Sequence, residues 1–469
     1  MSVTETGEPL ARRLAADTAA IRDGPLPPAV IERAHVLFRD YLGVALGGSN
    51  VESSVVLRRA LRALAFTGTA TVLGAADRLP AAQAALANGA AAHTLEMDDT
   101  YQQGSIHLGA SVFSAALAAA ELAEAGGQLV LRAAVGGYEV AARLARALGP
   151  AAHYRRGFHP TGTCGAFGAA AAAGAVLGLD VNALATALGI AGSQASGSME
   201  FLANGAWTKR LHPGWAACAG LHAAALAAAG FRAPATILEG RFGFLTAYSE
   251  GADPTPLFAP VLPRDGYALS ATSVKPHACC RYMQGPIDAT LALRTSHGVV
   301  PRAVEQVEVG VLEAAFPIIC EPMAAKQRPL SVVDAQFSLP FGIAVALVRG
   351  AASPDEFTLS TIADPTVRGL MQRVTAIRDP KLDALYPRAW ASWVRIALRD
   401  GRSIEARIEH PRGDPENFPA PAEMDAKFRK LAGRVLPPGA IERLAAAIDT
   451  FPDAERATAV LAAAVPSGR

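Results

Sequence analysis

Apolar side chains recur every three or four positions through about the first 250 residues, which is the spacing of one face of an α-helix. The clearest run consists of Val30, Ile31, Ala34, Leu37, Phe38, Tyr41, Leu42 and Ala45. Pro27 and Pro28 precede it and Gly47 and Gly48 follow it, a typical start and stop. The same spacing predicts helices near residues 80–97, 110–125, 130–148, 165–178, 182–193 and 214–229.

The pattern changes after about residue 266. Residues 306–311 and 392–398 are β-like, and the second run passes through Asp400 and Gly401 into a third run, 403–408. An Asp-Gly pair between two such runs indicates a β-hairpin. Helices are predicted near 285–294 and 334–349, and the tail, 422–465, returns to helical spacing.

These patterns predict a mainly α fold of two domains, as expected for 469 residues. Residues 1–266 and 413–469 form a large all-helical main domain, on which the tail packs back. Residues 267–412 form a smaller α+β lid domain.

Composition narrows the class of protein. The chain is 51% hydrophobic but only 6% aromatic, and its abundant alanine favours closely packed helices. With 43 basic and 42 acidic residues it gives no reason to expect nucleic acid or an anionic membrane as a partner. The first residues lack a signal-peptide pattern, the apolar runs are too short to span a bilayer, and the five cysteines have no framework spacing. We therefore expect a cytoplasmic protein.

Ionisable residues are concentrated at the end of one otherwise apolar helix. They are His93, Glu96, Asp98, Asp99 and His107. Three carboxylates so close together repel one another, so at least one is expected to pair with His93, His107 or Lys209. His93 and Glu96 are three positions apart and are expected to share a helix face.

His107 and His159 each stand just before a helix of small residues. The partial positive charge of a helix N-terminus disfavours a protonated imidazole and attracts anions. A neutral histidine there is suited to removing a proton beside a substrate carboxylate. Thr161 adds a donor beside His159. The alternative is that these histidines simply cap their helices.

Two further stretches carry cationic side chains. Lys209 is predicted to lie on a loop before a helix that Gly214 begins, where it would pair with a carboxylate; the alternative is a solvated surface lysine. Lys275, Cys280, Arg281 and Tyr282 lie at the predicted domain boundary, where clefts commonly bind ligands. Arg281 can hold a carboxylate through two hydrogen bonds, whereas the alternative is a linker with incidental polar residues.

No metal and no cofactor are expected. His93 and Glu96 form one possible ligand pair, but no second His-rich motif accompanies them, and the vicinal Cys279 and Cys280 have no second pair. Nucleotide-binding loops and a nucleophile elbow are absent in their required settings.

Taken together, the motifs resemble the MmgE/PrpD family, which includes 2-methylcitrate dehydratase, cis-aconitate decarboxylase and iminodisuccinate epimerase. The matching segments are 86–93, 98–100, His107, 137–140, 159–163, 208–214, 275–282 and 334–341. The resemblance covers nearly the whole chain. It implies an all-helical main domain closed by an α+β lid, a homodimer and no cofactor.

Position by position, the resemblance implies a pocket of Glu96, Thr100, His107, His159 and Lys209, with the Cys280 region contributed by the lid. The chain departs from the decarboxylase pattern, which has Asp at Glu96, His at Cys280 and Tyr at Phe316. Those differences imply that the acid that reprotonates a carbanion after loss of CO₂ is missing. Dehydration and epimerisation stay open.

We therefore expect a lyase or isomerase that removes a proton α to a carboxyl group of a small di- or tricarboxylate. His107 or His159 would be the base and the other the acid, with Lys209 and Asp99 as further catalytic groups. The predicted substrate-binding residues are Glu96, Thr100, Thr161, Lys275, Cys280, Arg281 and Tyr282. A 2-methylcitrate-type hydro-lyase is the first hypothesis, epimerisation of a substituted succinate the second and decarboxylation the third. A non-catalytic carboxylate-binding scaffold is the remaining alternative, against which His107, His159 and Lys209 speak.

Overall fold

Helices dominate the N-terminal part of the computed structural model, which describes residues 7–64, 67–259 and 266–466. Up to residue 259 these are α1 (Leu10–Asp23), α2 (Pro28–Ser49), α3 (Glu52–Ala63), α4 (Ala81–His93), α5 (Gly109–Ala123), α6 (Gly127–Leu148), α7 (Pro150–Arg155), α8 (Pro160–Val176), α9 (Val181–Gly192), α10 (Thr208–Ala228) and α11 (Phe244–Tyr248). Three two-residue strands accompany them: β1 (Ala70–Thr71), β2 (Arg78–Leu79) and β3 (Thr100–Tyr101). The predicted mainly α fold is confirmed.

The C-terminal part, residues 266–466, mixes strands and helices. Its strands are β4 (Thr272–Ser273), β5 (Val304–Val311), β6 (Val374–Arg378), β7 (Ser392–Leu398) and β8 (Ser403–Ile408). Its helices are α12 (Gln284–His297), α13 (Met323–Lys326), α14 (Val332–Gln336), α15 (Leu339–Arg349), α16 (Leu359–Ala363), α17 (Pro365–Met371), α18 (Pro380–Asp383), α19 (Pro421–Ala432), α20 (Pro438–Asp449) and α21 (Thr458–Ala463). Throughout the described residues, no helix has both the length and the apolar content to cross a bilayer.

Small residues bring the central helices α4, α5, α6, α8 and α10 into close contact. A Cβ atom added at Gly214 in α10 would lie 2.2 Å from the carbonyl oxygen of Leu86 in α4. The same construction at Gly137 in α6 meets the carbonyl oxygen of Gly168 in α8 at 2.7 Å. Backbones approach this closely only where no side chain intervenes, which explains the glycine and alanine content of these helices.

Helix boundaries in the N-terminal part follow the apolar pattern at α2 but not at α10. α2 starts at Pro28 and ends just after the predicted glycine pair. α10, however, begins at Thr208 rather than at Gly214, so Lys209 is in its first turn and the predicted loop is wrong. Pro213 lies inside α10, so the helix lacks one backbone donor there. The turn that precedes Pro213 is nevertheless helical and buries Lys209 and Arg210.

A four-stranded sheet with the order β6-β5-β7-β8 forms the centre of the C-terminal part. β7 and β8 are the predicted hairpin, which turns at Gly401 with a φ of +87°. β6 pairs parallel to β5 at the sheet edge and was not predicted, because its short sequence mixes polar and apolar residues without a clean alternation. The helix predicted over 334–349 is split, because Ser338 caps α15 and Pro340 follows at its start.

The tail packs on the helical part through α19 and α2. Lys427 of α19 pairs with Asp40 of α2 at 2.6 Å and donates a hydrogen bond to the carbonyl oxygen of Met97 at 2.9 Å. β3 and β4 pair as a second link, which places Thr100 opposite Ser273. The exact domain boundaries stay a prediction.

Candidate active site

A small pocket with a cavity volume of about 40 Å³ lies where the end of α4, the starts of α8 and α10, and the segment before α12 meet. On the helical side it is lined by Glu96, Thr100, His107, His159 and Lys209. On the other side it is lined by Cys280, Arg281 and Tyr282. The structure thus brings eight of the residues singled out from the sequence to one small cavity.

The other three predicted residues, Asp99, Thr161 and Lys275, lie behind this lining. Asp99 accepts hydrogen bonds from the Gly109 amide at 2.9 Å and from the Tyr138 hydroxyl at 2.5 Å, so both its oxygens are engaged. Burial raises the pKa of its carboxyl to about 7. Thr161 Oγ1 accepts the His107 amide at 3.1 Å. These positions suit residues that hold the lining in place rather than residues that touch a substrate.

Four buried charges alternate in sign beside the pocket. Lys209 Nζ donates a hydrogen bond to Glu96, and Lys275 Nζ lies 3.4 Å from both Glu96 Oε2 and Asp98 Oδ1. Burial disfavours ionised carboxylates, but the surrounding lysines and histidines outweigh it and hold the pKa values of Glu96 and Asp98 below their usual range. For Lys209 burial dominates and lowers the pKa, so this ammonium gives up a proton more readily than a free lysine.

Glu96 does not share a helix face with His93, contrary to the prediction, because α4 ends at His93. Glu96 instead has a φ of +55°, the left-handed region that a side chain rarely adopts. Such a conformation costs on the order of 1–3 kcal/mol and persists where surrounding contacts enforce it. Here Lys209 and Lys275 bind its two carboxylate oxygens and turn the side chain inward.

Hydrogen bonds determine which nitrogen of His107 is protonated. Its Nδ1 lies 2.8 Å from the carbonyl oxygen of Asp99, which can only accept. Nδ1 therefore carries the proton, and Nε2 keeps its lone pair. Burial holds the pKa of His107 well below its usual value, so the ring is neutral at pH 7. The structure gives His107 the protonation state that a general base needs.

His159 occupies the position before the first residue of α8, and its ring contacts a second histidine. Its Nδ1 lies 3.0 Å from His212 Nδ1. Burial lowers both pKa values, that of His212 to about 3, so both rings are neutral and one donates to the other. His212 also borders a surface groove beside Trp215. Sequence patterns did not single out His212, although its spacing of three from Lys209 places both on one side of α10.

Arg281 is held from behind by Asp414, with which its Nη2 forms a buried ion pair. Asp414 also accepts hydrogen bonds from Gln102 Nε2 at 2.7 Å and Ser273 Oγ at 2.8 Å. Nε and Nη1 of Arg281 are buried and have no hydrogen-bond partner among the described residues. Burial lowers the pKa of Arg281 to about 10, which still leaves it charged at neutral pH. An anchored guanidinium with two free donors is suited to binding a carboxylate.

Aromatic residues that sequence patterns did not reveal complete the pocket. Tyr282 stacks on Trp390 with ring centroids 4.1 Å apart and 6° between the planes. Trp390 Nε1 is buried without a partner within the described chain. Tyr154 shares a hydrogen bond of 2.9 Å with Ser105. Tyr282 was predicted from the sequence, whereas Trp390 and Tyr154 come from distant segments without a motif, so only the fold identifies these two.

A possible metal-ligand set also emerges from the fold. One ring nitrogen from each of His93, His107 and His159 lies within 4.8 Å of those of the other two. No metal was expected from the sequence, because metal-binding motifs are recognised by ligands closely spaced along the chain. These three histidines come from three separate segments and therefore leave no such motif.

Neutral imidazoles beside buried ammonium and guanidinium groups are typical of enzymes that transfer protons to or from small anionic molecules. Two family models match the chain: the MmgE/PrpD N-terminal domain over residues 12–257 and the MmgE/PrpD C-terminal domain over residues 277–452. The chain belongs to the MmgE/PrpD family and is an enzyme, which confirms the resemblance inferred from the motifs.

Curated relatives include lyases of two kinds. The cis-aconitate decarboxylase of Aspergillus terreus is 29% identical over 428 residues, which cover 87% of this chain and 86% of the relative. The Homo sapiens cis-aconitate decarboxylase is 28% identical over 451 residues, 93% of this chain and 90% of the relative. A mitochondrial 2-methylcitrate dehydratase of Yarrowia lipolytica is 24% identical over 152 residues, 31% of this chain and 28% of the relative.

Proposed function

We propose that this enzyme is a cofactor-independent lyase that removes a proton α to a carboxylate of a small di- or tricarboxylate. Dehydration of a 2-methylcitrate-like hydroxy acid is its proposed main reaction. The observation that carries the proposal is the neutral His107, whose unprotonated Nε2 belongs to a pocket that also contains Arg281 with two free donors. A base and an anion-binding group are the two parts that this chemistry requires.

Each of the lining residues has a defined part in this reaction. Arg281 binds one substrate carboxylate, and Lys209 stabilises the negative charge that develops on the neighbouring carboxylate as His107 removes the α proton. The electrons of the broken C–H bond form the new double bond as the β-hydroxyl group leaves. The leaving oxygen needs a proton, which His159 supplies.

The pair of His159 and His212 provides a route for that proton. As His159 gives its Nε2 proton to the leaving hydroxyl, it takes a proton from His212 at Nδ1, across the 3.0 Å contact. His212 then regains a proton from water in the surface groove that it borders. His107 then releases the α proton to water, which balances the proton that His212 took up and restores all three rings to their neutral state. Within the relay, neither His159 nor His212 must hold a positive charge in the buried site.

Decarboxylation of a cis-aconitate-like acid is the second candidate. The observation that favours it is the length of chain over which the relatives align. The two decarboxylases named above align over 87% and 93% of this chain, whereas the dehydratase aligns over 31%. A decarboxylase must protonate a carbanion, and burial raises the pKa of the Cys280 thiol, so Cys280 is protonated and in the pocket. Epimerisation of a substituted succinate would use the same base and stays a third candidate.

The deciding experiment is a ¹H NMR panel in D₂O with citrate, 2-methylcitrate, cis-aconitate, itaconate and substituted succinates. Dehydration of 2-methylcitrate, with no vinyl protons of itaconate from cis-aconitate, is the expected result. Formation of itaconate would show that the reaction is decarboxylation rather than dehydration. Inversion of a stereocentre in a substituted succinate would show that the reaction is epimerisation. His107→Gln should reduce the observed turnover by roughly 10² to 10⁴, whereas His297→Gln, which changes an exposed histidine, should not.

We also propose a cytoplasmic homodimer. Trp207, Leu211, Trp215 and Leu226 follow helical spacing along one side of α10, where Trp207, Trp215 and Leu226 are exposed. An exposed row of large apolar side chains is typical of an interface. Light scattering coupled to gel filtration should report a dimer for the wild type and a monomer for Trp215→Glu. A monomeric wild type would refute this part of the proposal.

A further inference from the structure

We propose that His93, His107 and His159 form a binding site for a divalent transition-metal ion such as Zn²⁺, and that occupation of this site switches the enzyme off. The ring centroids of His93 and His107 are 4.7 Å apart, and those of His93 and His159 are 5.9 Å apart. One nitrogen of each ring lies within 4.8 Å of the other two. Zinc binds imidazole nitrogen at about 2.0–2.1 Å, so bound nitrogens lie about 3.4 Å apart and the ring nitrogens need to approach one another by up to about 1.4 Å.

His93 supplies the strongest indication that a ligand belongs here. Its Nδ1 lies 2.7 Å from the ionised Asp98, so Nδ1 carries the proton and Nε2 has a lone pair. That Nε2 is completely buried and has no hydrogen-bond partner among the described residues. A buried acceptor without a partner is unfavourable, and a metal ion is a partner that a lone pair of this kind can take.

The contacts behind the three rings match those of known metal sites. A metal-binding histidine usually donates its other N–H to a carboxylate, a backbone carbonyl or a similar acceptor. His93 donates to Asp98, His107 to the carbonyl oxygen of Asp99, and His159 contacts His212. When His159 donates to His212, all three Nε2 atoms have free lone pairs. A metal ion would select that arrangement of the His159–His212 pair.

The net charge around the three histidines, and the access to them from the pocket, are compatible with the binding of a cation. Lys209 and Lys275 lie nearby, but the ionised Glu96 and Asp98 pair with them, so the four charges sum to zero. With Nδ1 of each ring donating to its own partner, the three Nε2 atoms carry lone pairs and need lose no proton to bind metal. His107 and His159 also line the pocket, which leaves an open fourth position for water or a substrate carboxylate. Three neutral nitrogens and one open position suit Zn²⁺ or Co²⁺.

Metal binding takes the lone pair with which His107 would act as a base. The enzyme should therefore lose activity in Zn²⁺ and regain it in a chelator, and a chelator should not lower the activity of the metal-free enzyme. This inhibition rests on the proposed function, whereas the binding itself does not.

The test is a titration of chelator-treated full-length protein with Co²⁺, followed by visible absorption in the absence of substrate. Four- or five-coordinate Co²⁺ on imidazole absorbs far more strongly than the octahedral aqueous ion. We expect such a spectrum to saturate at one Co²⁺ per chain, without the near-ultraviolet charge-transfer band of a thiolate, since the three proposed ligands are imidazoles. Zn²⁺ should then abolish the spectrum by displacement. A spectrum of the aqueous ion alone would overturn the proposal.

Variants of the proposed ligands and of their hydrogen-bond partners test where the ion binds. His93→Gln should weaken Co²⁺ binding at least 100-fold, and Asp98→Asn, which removes the partner of His93, should weaken it about 10- to 100-fold. The matched control is His410→Gln, because His410 belongs to a second, partly exposed group with Asp414 and Glu416. Loss of the spectrum in His410→Gln but not in His93→Gln or His159→Gln would assign the ion elsewhere and refute the proposal. Bound Co²⁺ without inhibition by Zn²⁺ would refute the proposed role of His107 alone.

Discussion

The side chain of Lys209 is almost entirely enclosed, with 5% of its surface exposed. Its Nζ binds Glu96 and lies 5.2 Å from the centre of the Phe337 ring. This environment excludes the alternative of a solvated surface lysine. In the fold, the charge of Lys209 stabilises the buried ion pairs, and in the proposed reaction it also contributes to substrate binding.

Replacing Lys209 with Met should therefore have two separable effects. Loss of one charge-assisted hydrogen bond, worth about 1.5–3 kcal/mol, should lower kcat/KM about 10- to 150-fold. The melting temperature should also fall, because Glu96 then keeps only Lys275 as a cationic partner. Steady-state kinetics and thermal melting measure both effects.

The double variant Glu96→Gln/Lys209→Met tests this separation. It removes both members of the buried pair, so it should recover stability relative to Lys209→Met without recovering activity. The exposed Lys381→Met serves as the control and should change neither. Wild-type kinetics in Lys209→Met would show that Lys209 has no contact with the substrate.

His212 should affect turnover through His159 rather than by touching the substrate. His212→Leu removes the 3.0 Å contact between the two rings and should lower kcat about tenfold or more, since a hydrogen bond of about 1.5 kcal/mol is lost. KM should change little. His212→Asn, whose amide can keep a hydrogen bond to His159 but cannot pass on a proton, should also lose activity, and added imidazole should partly rescue His212→Leu. Full activity in His212→Asn, or no rescue of His212→Leu by imidazole, would indicate that His212 only positions His159.

The local sequence was sufficient to identify those site residues whose structural environment depends on their neighbours along the chain. His107, His159 and Lys209 stand at or near starts of helices made of small residues, and such starts can be recognised along the chain. Asp414 could not be recognised in this way, because its partner Arg281 is 133 positions away. Trp390 could not be recognised for the same reason, because it contacts the pocket through its stacking on Tyr282, which is distant along the chain.

At the scale of elements, the contact between α4 and α10 determines where Lys209 lies. Gly89 of α4 faces Gly214 of α10, and a Cβ at Gly89 would come within 2.8 Å of the Gly214 Cα. The two backbones touch there, and this fixes the start of α10 beside the end of α4. Lys209 and Glu96 meet because of this close crossing.

Gly214→Ala should force these two helices apart. Its Cβ would lie 2.2 Å from a backbone oxygen that cannot move independently, so destabilisation of about 1–3 kcal/mol or more is expected, together with loss of activity. Gly369→Ala is the matched control: Gly369 is also helical, but a Cβ added there would have no neighbouring atom within 4 Å, so alanine should stabilise by roughly 0.5–1 kcal/mol. Chemical denaturation of both variants measures these changes. Equal stability of the two would contradict the close crossing.

Periodicity predicted elements well where burial alternates regularly. α2 and the β7–β8 hairpin have clear apolar faces and clear end signals, and both were located correctly. The start of α10 was misplaced because Gly214 was predicted to begin the helix, whereas α10 begins at Thr208 and continues through Pro213, a residue that usually interrupts a helix. The edge strand β6 has a half-exposed, irregular pattern that local sequence does not distinguish from a loop.

At the scale of the whole molecule, burial keeps several histidines uncharged, and this should make stability depend on pH. His153 is a simple example: its Nδ1 contacts the Tyr248 carbonyl oxygen at 2.8 Å and its Nε2 contacts Thr163 Oγ1 at 2.9 Å. Burial lowers its pKa from 6.5 to about 4. The unfolded chain therefore binds a proton between pH 6.5 and 4 that the folded chain does not bind.

The stability that His153 contributes should therefore be complete above pH 6.5 and decline as the pH falls towards 4. The slope is about 1.4 kcal/mol per pH unit for one group. We expect the difference in unfolding free energy between wild type and His153→Gln to shrink by this slope on acidification. Urea unfolding at pH 7.5, 6.5 and 5.5 measures it. A difference that is constant or grows on acidification would show that His153 is charged in the folded protein.

Because Trp390 is stacked on Tyr282 at the pocket, its fluorescence should report the binding of a ligand there. Trp390 is buried at the pocket wall, whereas Trp207 and Trp215 lie outside the pocket, on the surface along α10. A carboxylate that accepts a hydrogen bond from the free Trp390 Nε1 should alter the intensity and the emission maximum of that indole. Fluorescence can therefore rank molecules by occupancy of the pocket before any reaction is known, and Trp390→Phe should remove the signal. Candidate substrates can thus be screened by binding first and by chemistry afterwards.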